Sequence, residues 1–313
     1  MSGPRFSLRD PPQAETTTKD ARDAGGGERP PRRIVINWRN TLGARRRPSR
    51  GQRQHPAFRI REDLPRRWRL SLLAVGLVVP LLVWLFVAQN ASTTTPIPTP
   101  GATWGGFRRL WSEGVFWGDF WASNRRILIG YAISMAIAIV IGLLMGAFRA
   151  VDSFLEPPIG FLRYVPATAL VPLMIFWLGI DETPKITLIV LGSVFFNILM
   201  IADVARNVPK ELINAAYTLG AKRRTVLRRV ILPHSAPGIV DVARINLAAA
   251  WAILVVAELL AAQEGLAFRI TRAQRFRQVD EMFALLLVFG AIGVMSDLTL
   301  RWVRNRMAPW ARP

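Results

Sequence analysis

The chain has 313 residues, 51% of them hydrophobic and 20% charged, with a formal net charge of +20. A mean hydropathy of +0.25 beside that many charges requires apolar and charged residues to be segregated, which argues against a soluble domain. Cysteine is absent, which removes disulfides, thiolate metal sites and cysteine nucleophiles, and His55 and His234 lack metal-ligand spacing.

Residues 1–69 hold 18 Lys/Arg against 7 Asp/Glu and are rich in Pro, Gly, Thr and Arg. Without a sustained apolar period they are expected to be a disordered basic tail. The tract Arg45-Arg46-Arg47 and the arginines of residues 59–69 suit anionic lipid or nucleic acid. The reading preferred is a solvated tail that fixes orientation, with no nucleic-acid partner. No N-terminal signal peptide is expected, because a long polar segment precedes the first apolar run.

Residues 70–88 are uncharged and long enough for one bilayer crossing. Residues 89–122 are Thr/Pro-rich and then carry Trp104, Trp111, Trp117 and Trp121. Tryptophan favours the membrane–water boundary, so this segment is expected along the periplasmic interface or as a small packed cap. Residues 127–148 place Gly130, Ser134, Ala138, Gly142 and Gly146 on one helix face, which permits close contact with another membrane helix. Residues 164–180 form a third run, kinked by Pro166 and Pro172; residues 186–202 form a fourth, containing Asn197. The fifth spans 239–262 and the sixth 282–300, interrupted by Asp297. The expectation is an all-α polytopic membrane protein with six transmembrane helices. The basic segments, namely the N-terminal tail, the 203–235 loop and the C-terminal tail, put both termini in the cytoplasm. The loop with Arg269, Arg272, Arg275 and Arg277 falls on the other side, against that rule.

Between the fourth and fifth runs lies a polar stretch. Pro209 suits a first helical turn and Glu211 its positive end. Ala215, Ala216, Leu219 and Gly220 then make a smooth small-residue face, and Gly220 is placed to end the helix in a left-handed conformation. A second short helix carries Lys222, Arg223, Arg224, Arg228 and Arg229, and Pro233 is expected to stop it. The whole looks like a docking surface for another protein.

Asn214-Ala215-Ala216, Gly220 and Val230-Ile231-Leu232-Pro233 resemble the E-A-A-x-x-x-G … I-x-L-P coupling loop of ABC-importer permeases. The glutamate of that pattern is Asn214 here, with Glu211 about one turn earlier. Ser123 and Arg126, the wording around Arg163-Tyr164-Val165-Pro166, the stretch from Ala243 to Trp251 with Glu258, and Gly265-Leu266 resemble the nitrate/sulfonate/taurine branch. The resemblance covers about residues 123–310. It implies the ABC-importer permease fold in a bacterial inner membrane, with two chains forming the pore. It also implies ATPase subunits docked on the 205–233 loop through Glu211, Asn214, Ala215, Ala216, Leu219, Gly220, Leu232 and Pro233. A periplasmic or lipid-anchored binding protein would deliver a small oxyanion or organosulfonate. ATP and Mg would be used by the partner ATPase, and this chain would bind no cofactor.

No G-x-x-x-x-G-K-[ST] phosphate loop occurs, and no histidine–carboxylate pair suggests a hydrolase, so the chain is expected to be non-catalytic. Charge within a bilayer is expensive and usually faces a bundle interior. Glu258 reads equally as lining an external gate or as reaching for the interface. Arg163 and Arg244 would meet headgroups or an anion leaving the pore. Trp251, Asn246 and Asn197 are further pore candidates, the asparagines also suiting bonds between helices, and Asp297 calls for an arginine partner. Two other classes remain open: an ion-coupled secondary transporter, which needs mid-membrane carboxylates or broken helices, and a membrane-anchored interaction protein using its basic tail.

Overall fold

The computed structural model describes residues 64–92 and 96–307; of the tail expected over residues 1–69, residues 1–63 lie outside the described residues, as do the last six, and residues 66–69 are corrected to the first turn of a helix. Every regular element among the described residues is helical. Helix α1 (Arg66–Gln89) buries none of its residues, as suits a helix apolar on all sides and surrounded by lipid. Near its far end the Trp84 indole N–H donates to the Pro98 carbonyl at 3.0 Å, and the ring stacks on Phe283 at 6.2 Å.

Helix α2 (Pro100–Ser112) starts at a Thr99 cap, whose hydroxyl accepts from the Ala102 N–H at 3.2 Å, with proline in the first turn. It buries Thr103, Gly106 and Leu110 and turns Trp104 and Trp111 outward. Arg109 pairs with Asp280 and with Glu281, in the first turn of the last described helix (Val279–Met307). The Trp-rich stretch is thus packed on one face and aromatic on the other.

Helix α3 (Val115–Ala147) begins well before the apolar run at residue 127. Its face of small residues lies on α6 (Glu182–Arg206), the two helices running parallel. A Cβ at Gly130 would sit 2.9 Å from Ile189 Cβ, and one at Gly142 would sit 2.8 Å from the Ile198 carbonyl. Backbones this close gain the dispersion contacts that hold membrane helices together where the hydrophobic effect is spent.

The third run is corrected. In place of one kinked helix over 164–180, α4 (Arg149–Leu162) is followed by a 3-10 turn (Ala167–Leu170) and α5 (Val171–Leu178), bent by 73°. Pro166 is the cause: its extended backbone, φ −64 and ψ 112, cannot continue a helix, and a proline disfavours the helical region for the residue before it. Pro172 falls in the first turn of α5, where its missing N–H costs nothing. Among the described residues five helices are long and apolar enough to cross a membrane, or six when the bent pair counts as one span.

After α6 come α7 (Lys210–Thr218), α8 (Arg223–Val226), a π turn (Leu227–Ile231), α9 (Leu232–Ala261), α10 (Leu266–Arg275) and α11 (Val279–Met307). Here too the sequence expectation fails. Pro233 does not stop the basic helix, and the fifth span begins at Leu232 rather than near residue 239: Arg223–Leu259 is one 37-residue helix. The Leu232 N–H bonds to Leu227, five residues back. This wider turn takes the Arg229 carbonyl out of line with Pro233, which has no hydrogen to offer it. Helix α9 runs antiparallel to α3, α6 and α11. Buried apolar residues gather beneath the loop (Met145, Ile201, Val226, Ile231) and toward the opposite end (Leu110, Ile127, Leu254, Leu285).

Candidate coupling loop and translocation pathway

The loop helix α7 follows extended Pro209 and carries Glu211 in its first turn. Its inner side is Ile213 and Ala216, half-buried on the cluster that holds Val208, Val226 and Ile231. Its outer side is Glu211, Asn214, Ala215 and Leu219, with Leu219 87% exposed. Ala216 therefore anchors the helix and does not belong to the smooth outer face expected for it. The end is closed by two bonds, Gly220 N–H to Tyr217 O at 2.9 Å and Ala221 N–H to Ala216 O at 3.0 Å. That pair requires a left-handed residue between them, and Gly220 has φ +78. A Cβ at Gly220 would meet nothing within 4 Å, so backbone conformation alone restricts this position within the chain. Leu232 and Pro233 are exposed at the start of α9, and Arg223, Arg224, Arg228 and Arg229 are exposed beside them in sequence.

Inside the bundle, polar side chains stitch α3, α6 and α9. Asn246 donates to Asn197 Oδ1 at 2.7 Å, and Asn197 donates to Ser134 Oγ at 3.1 Å. Ser193 and Ser134 hydroxyls lie 2.8 Å apart, and the Tyr131 hydroxyl donates to the Ala243 carbonyl at 2.8 Å. Asn246 also borders a cavity of about 480 Å³, together with Arg163, Tyr164, Thr168 and Ser193. Trp251 lies elsewhere, 9% exposed and edge-on to Phe289 at 5.8 Å. Arg244 does not border this cavity either. It bonds Asp297 at 2.5 Å and Asp241 at 3.1 Å, and Asp241 also forms an ion pair with Arg304 at 2.9 Å. Those carboxylates neutralise the cation and lock α9 to α11.

Glu258 reaches neither the interface nor that cavity. It is 1% exposed and accepts from the Ser123 hydroxyl at 2.7 Å, the Ala267 N–H at 3.0 Å and Arg126 at 2.8 Å. Arg126, fully enclosed, forks onto Glu182 at 2.6 and 2.8 Å and donates to the Glu264 carbonyl at 2.8 Å. Asp119 extends the network, accepting from the Gly265 N–H at 2.8 Å and Arg269 at 2.5 Å. Gly265 has φ +129, and a Cβ there would fall 2.6 Å from the Glu258 carboxyl carbon. Four helices, α3, α6, α9 and α10, meet at this point. Sequence reasoning noted Ser123, Arg126 and Glu258 separately but missed their union, and missed Asp119 and Glu182 altogether. The available signal was that Arg126 borders one apolar run and Glu258 lies near the end of another, at the same end of the bundle.

A bundle of apolar helices, one of them broken, with an exposed anchored connecting helix and a polar interior, defines a membrane permease. The family described as binding-protein-dependent transport system inner membrane component matches residues 138–309, and the chain belongs to it. A Brucella melitensis protein named as a probable ABC transporter permease is 42% identical over 198 residues, 63% of this chain and 80% of that one. The taurine transport system permease protein of Escherichia coli (strain K12) is 36% identical over 256 residues, 78% of this chain and 92% of that one. Among solved structures, a bacterial ABC transporter involved in the import of the acidic polysaccharide alginate superposes with a TM-score of 0.57. It is 13% identical and covers 77% of this chain and 96% of that chain, a likeness of fold. The chain is thus a non-catalytic permease subunit of an ABC importer.

Proposed function

We propose that this permease forms half of an ATP-driven pore that imports a small anionic solute of the nitrate, sulfonate or taurine kind across a bacterial inner membrane. Two copies face each other, and two ATPase subunits, which use ATP and Mg, dock on the loops of residues 205–233. A periplasmic or lipid-anchored binding protein delivers the solute. The basic loop and the basic termini lie in the cytoplasm. The observation that carries the reading is α7 itself: a short helix anchored by Ile213 and Ala216, capped at Gly220, and presenting Asn214, Ala215 and Leu219 outward. The anionic solute is supported by the relative named for taurine transport. ATP closure of the ATPase dimer draws the two loops together and biases a two-state bundle.

The test is Gly220→Arg. The spans are untouched, so membrane levels stay normal. The left-handed backbone costs a non-glycine residue about 1 kcal/mol or more, and the new ion sits where a docked interface is dry. ATPase co-purification and uptake are lost, while Thr218→Arg, on another face, is milder. A Gly220→Arg protein that keeps its ATPase and its parental uptake rate removes this loop as the coupling element, and the functional reading with it.

A further inference from the structure

We propose that the cavity at the break between α4 and α5 is a transit site for a small oxyanion, held by the Arg163 guanidinium. The inference deepens the permease reading and rests on it for the direction of traffic.

Three observations support it. The first is charge. Arg163 is the single ion among the residues that line this cavity of about 480 Å³. Elsewhere in the bundle Arg126, Arg244 and Arg269 each meet a carboxylate. Among the described residues Arg163 has none: its Nε is enclosed without a hydrogen-bond partner there. A guanidinium presents a planar fork of donors matched to the oxygens of a sulfonate, nitrate or phosphate. Arg163 is half-buried, and an incoming anion would give its enclosed Nε the acceptor it lacks.

The second is arrangement. Arg163 donates to the Tyr164 hydroxyl at 2.9 Å and lies 4.8 Å over the ring of Tyr164, an exposed side chain, and the two contacts favour one orientation of the fork. Because the Tyr164 oxygen accepts, its own proton remains to be given to an anion. Thr168, on the same wall, adds a second hydroxyl, and Ala249 and Ala252 offer apolar surface for an organic tail.

The third is the backbone. Residues 163–166 are not helical, although the helices on either side are together long and apolar enough for one bent span. Irregular backbone at membrane depth is tolerated where it is enclosed by protein or lines a water-filled cavity. Here it borders the cavity, whose size is within the range of small-ligand sites. One cation and two hydroxyls hold an anion weakly, which suits a site that must release it.

The absence of cysteine makes a direct test possible. Thr168→Cys and Ala252→Cys, made singly in the full-length chain in phosphatidylcholine nanodiscs, are reacted with sulfonatoethyl and with trimethylammonioethyl methanethiosulfonate. Rates are normalised to those of a free thiol in solution. The expected result is that the sulfonate reagent is favoured by about tenfold, the size set by a unit charge a few ångströms away in water-like surroundings. The preference collapses in Arg163→Gln and survives in Arg163→Lys. Inorganic sulfate slows the reaction in the parent and not in Arg163→Gln. Equal rates for the two reagents, a preference indifferent to Arg163→Gln, or no reaction with either reagent overturns the proposal. Repeating the measurement in phosphatidylglycerol discs separates a soluble anion from a lipid headgroup. A preference lowered there to the Arg163→Gln level assigns the site to lipid and also overturns it. Labelling needs neither ATPase nor uptake, so its failure leaves the permease reading standing, and failure of the Gly220→Arg test leaves the labelling result standing.

Discussion

Replacing Glu258 by glutamine tests whether the ionic knot at the end opposite the loop holds the bundle together. Glu258 and Arg126 are both enclosed, so no water takes over for a lost partner. Breaking such a pair by removing one member costs about 3–5 kcal/mol, most of it the stranded charge. In Glu258→Gln the stranded group is Arg126, which keeps its fork to Glu182 at 2.6 and 2.8 Å and its bond to Glu264. Glutamine keeps one oxygen, which can still accept from Ser123 or from the Ala267 N–H, the two having used different carboxylate oxygens. The loss is therefore expected at the low end, about 3 kcal/mol. Arg126→Leu is expected to be worse, about 5 kcal/mol, because it strands the enclosed Glu258 and leaves Glu182 with Lys185 as its close cationic partner at 2.8 Å. The assay is reversible unfolding of the purified chain in mixed micelles titrated with dodecyl sulfate, comparing midpoints at constant slope. The reasoning is refuted if Glu258→Gln lies within about 0.5 kcal/mol of the parent, the ordinary range for surface changes. It is equally refuted if Arg126→Leu is the milder variant.

Gly265→Ala is expected to destabilise by more than 1 kcal/mol, roughly the left-handed penalty alone. It should cost less in a Glu258→Ala background, where the carboxyl group 2.6 Å from the new methyl is gone; strict additivity of the two changes in the same unfolding assay would sink this account. Gly142→Leu should push α3 off α6, costing about 1–3 kcal/mol or more and lowering the monodisperse fraction on size-exclusion chromatography, since even a Cβ falls 2.8 Å from the Ile198 carbonyl. Deleting residues 2–55 should preserve insertion and uptake, because Arg59, Arg61, Arg66, Arg67 and Arg69 still mark one side; lost ATPase assembly in that deletion would make the tail a docking element.

The all-helical, multi-span architecture was legible because a membrane helix satisfies its own backbone and announces itself as an apolar run. Its limits were less so. Helix α3 reaches back to Val115 through polar and aromatic residues that no hydropathy window includes, and α9 starts at Leu232 because a π turn absorbs Pro233. Pro166 and Pro172 looked alike in the sequence, yet one breaks a span and the other opens a helix. In the loop, Gly220 could be placed from residue type alone, since few other residues tolerate that backbone. Ala216 could not, because its inward turn depends on Val226 and Ile231 arriving beneath it. The Arg126–Glu258 pair spans 132 residues, and its partners become neighbours once α3, α6 and α9 are assembled.

The π turn at Leu227–Ile231 has a mechanical consequence. It lies within a 37-residue helix, about 55 Å of rod at 1.5 Å per residue, between the basic turn of α8 and the part of α9 that carries Asn246 and Glu258. A π turn holds one residue more than the α turn it replaces. Displacing that extra residue along the helix would rotate the segment it passes by about 100° relative to the rest, the angle of one residue in an α-helix. A slip of one residue in register would thus turn the wall of the helix beyond Arg223 and Arg224 without bending α9.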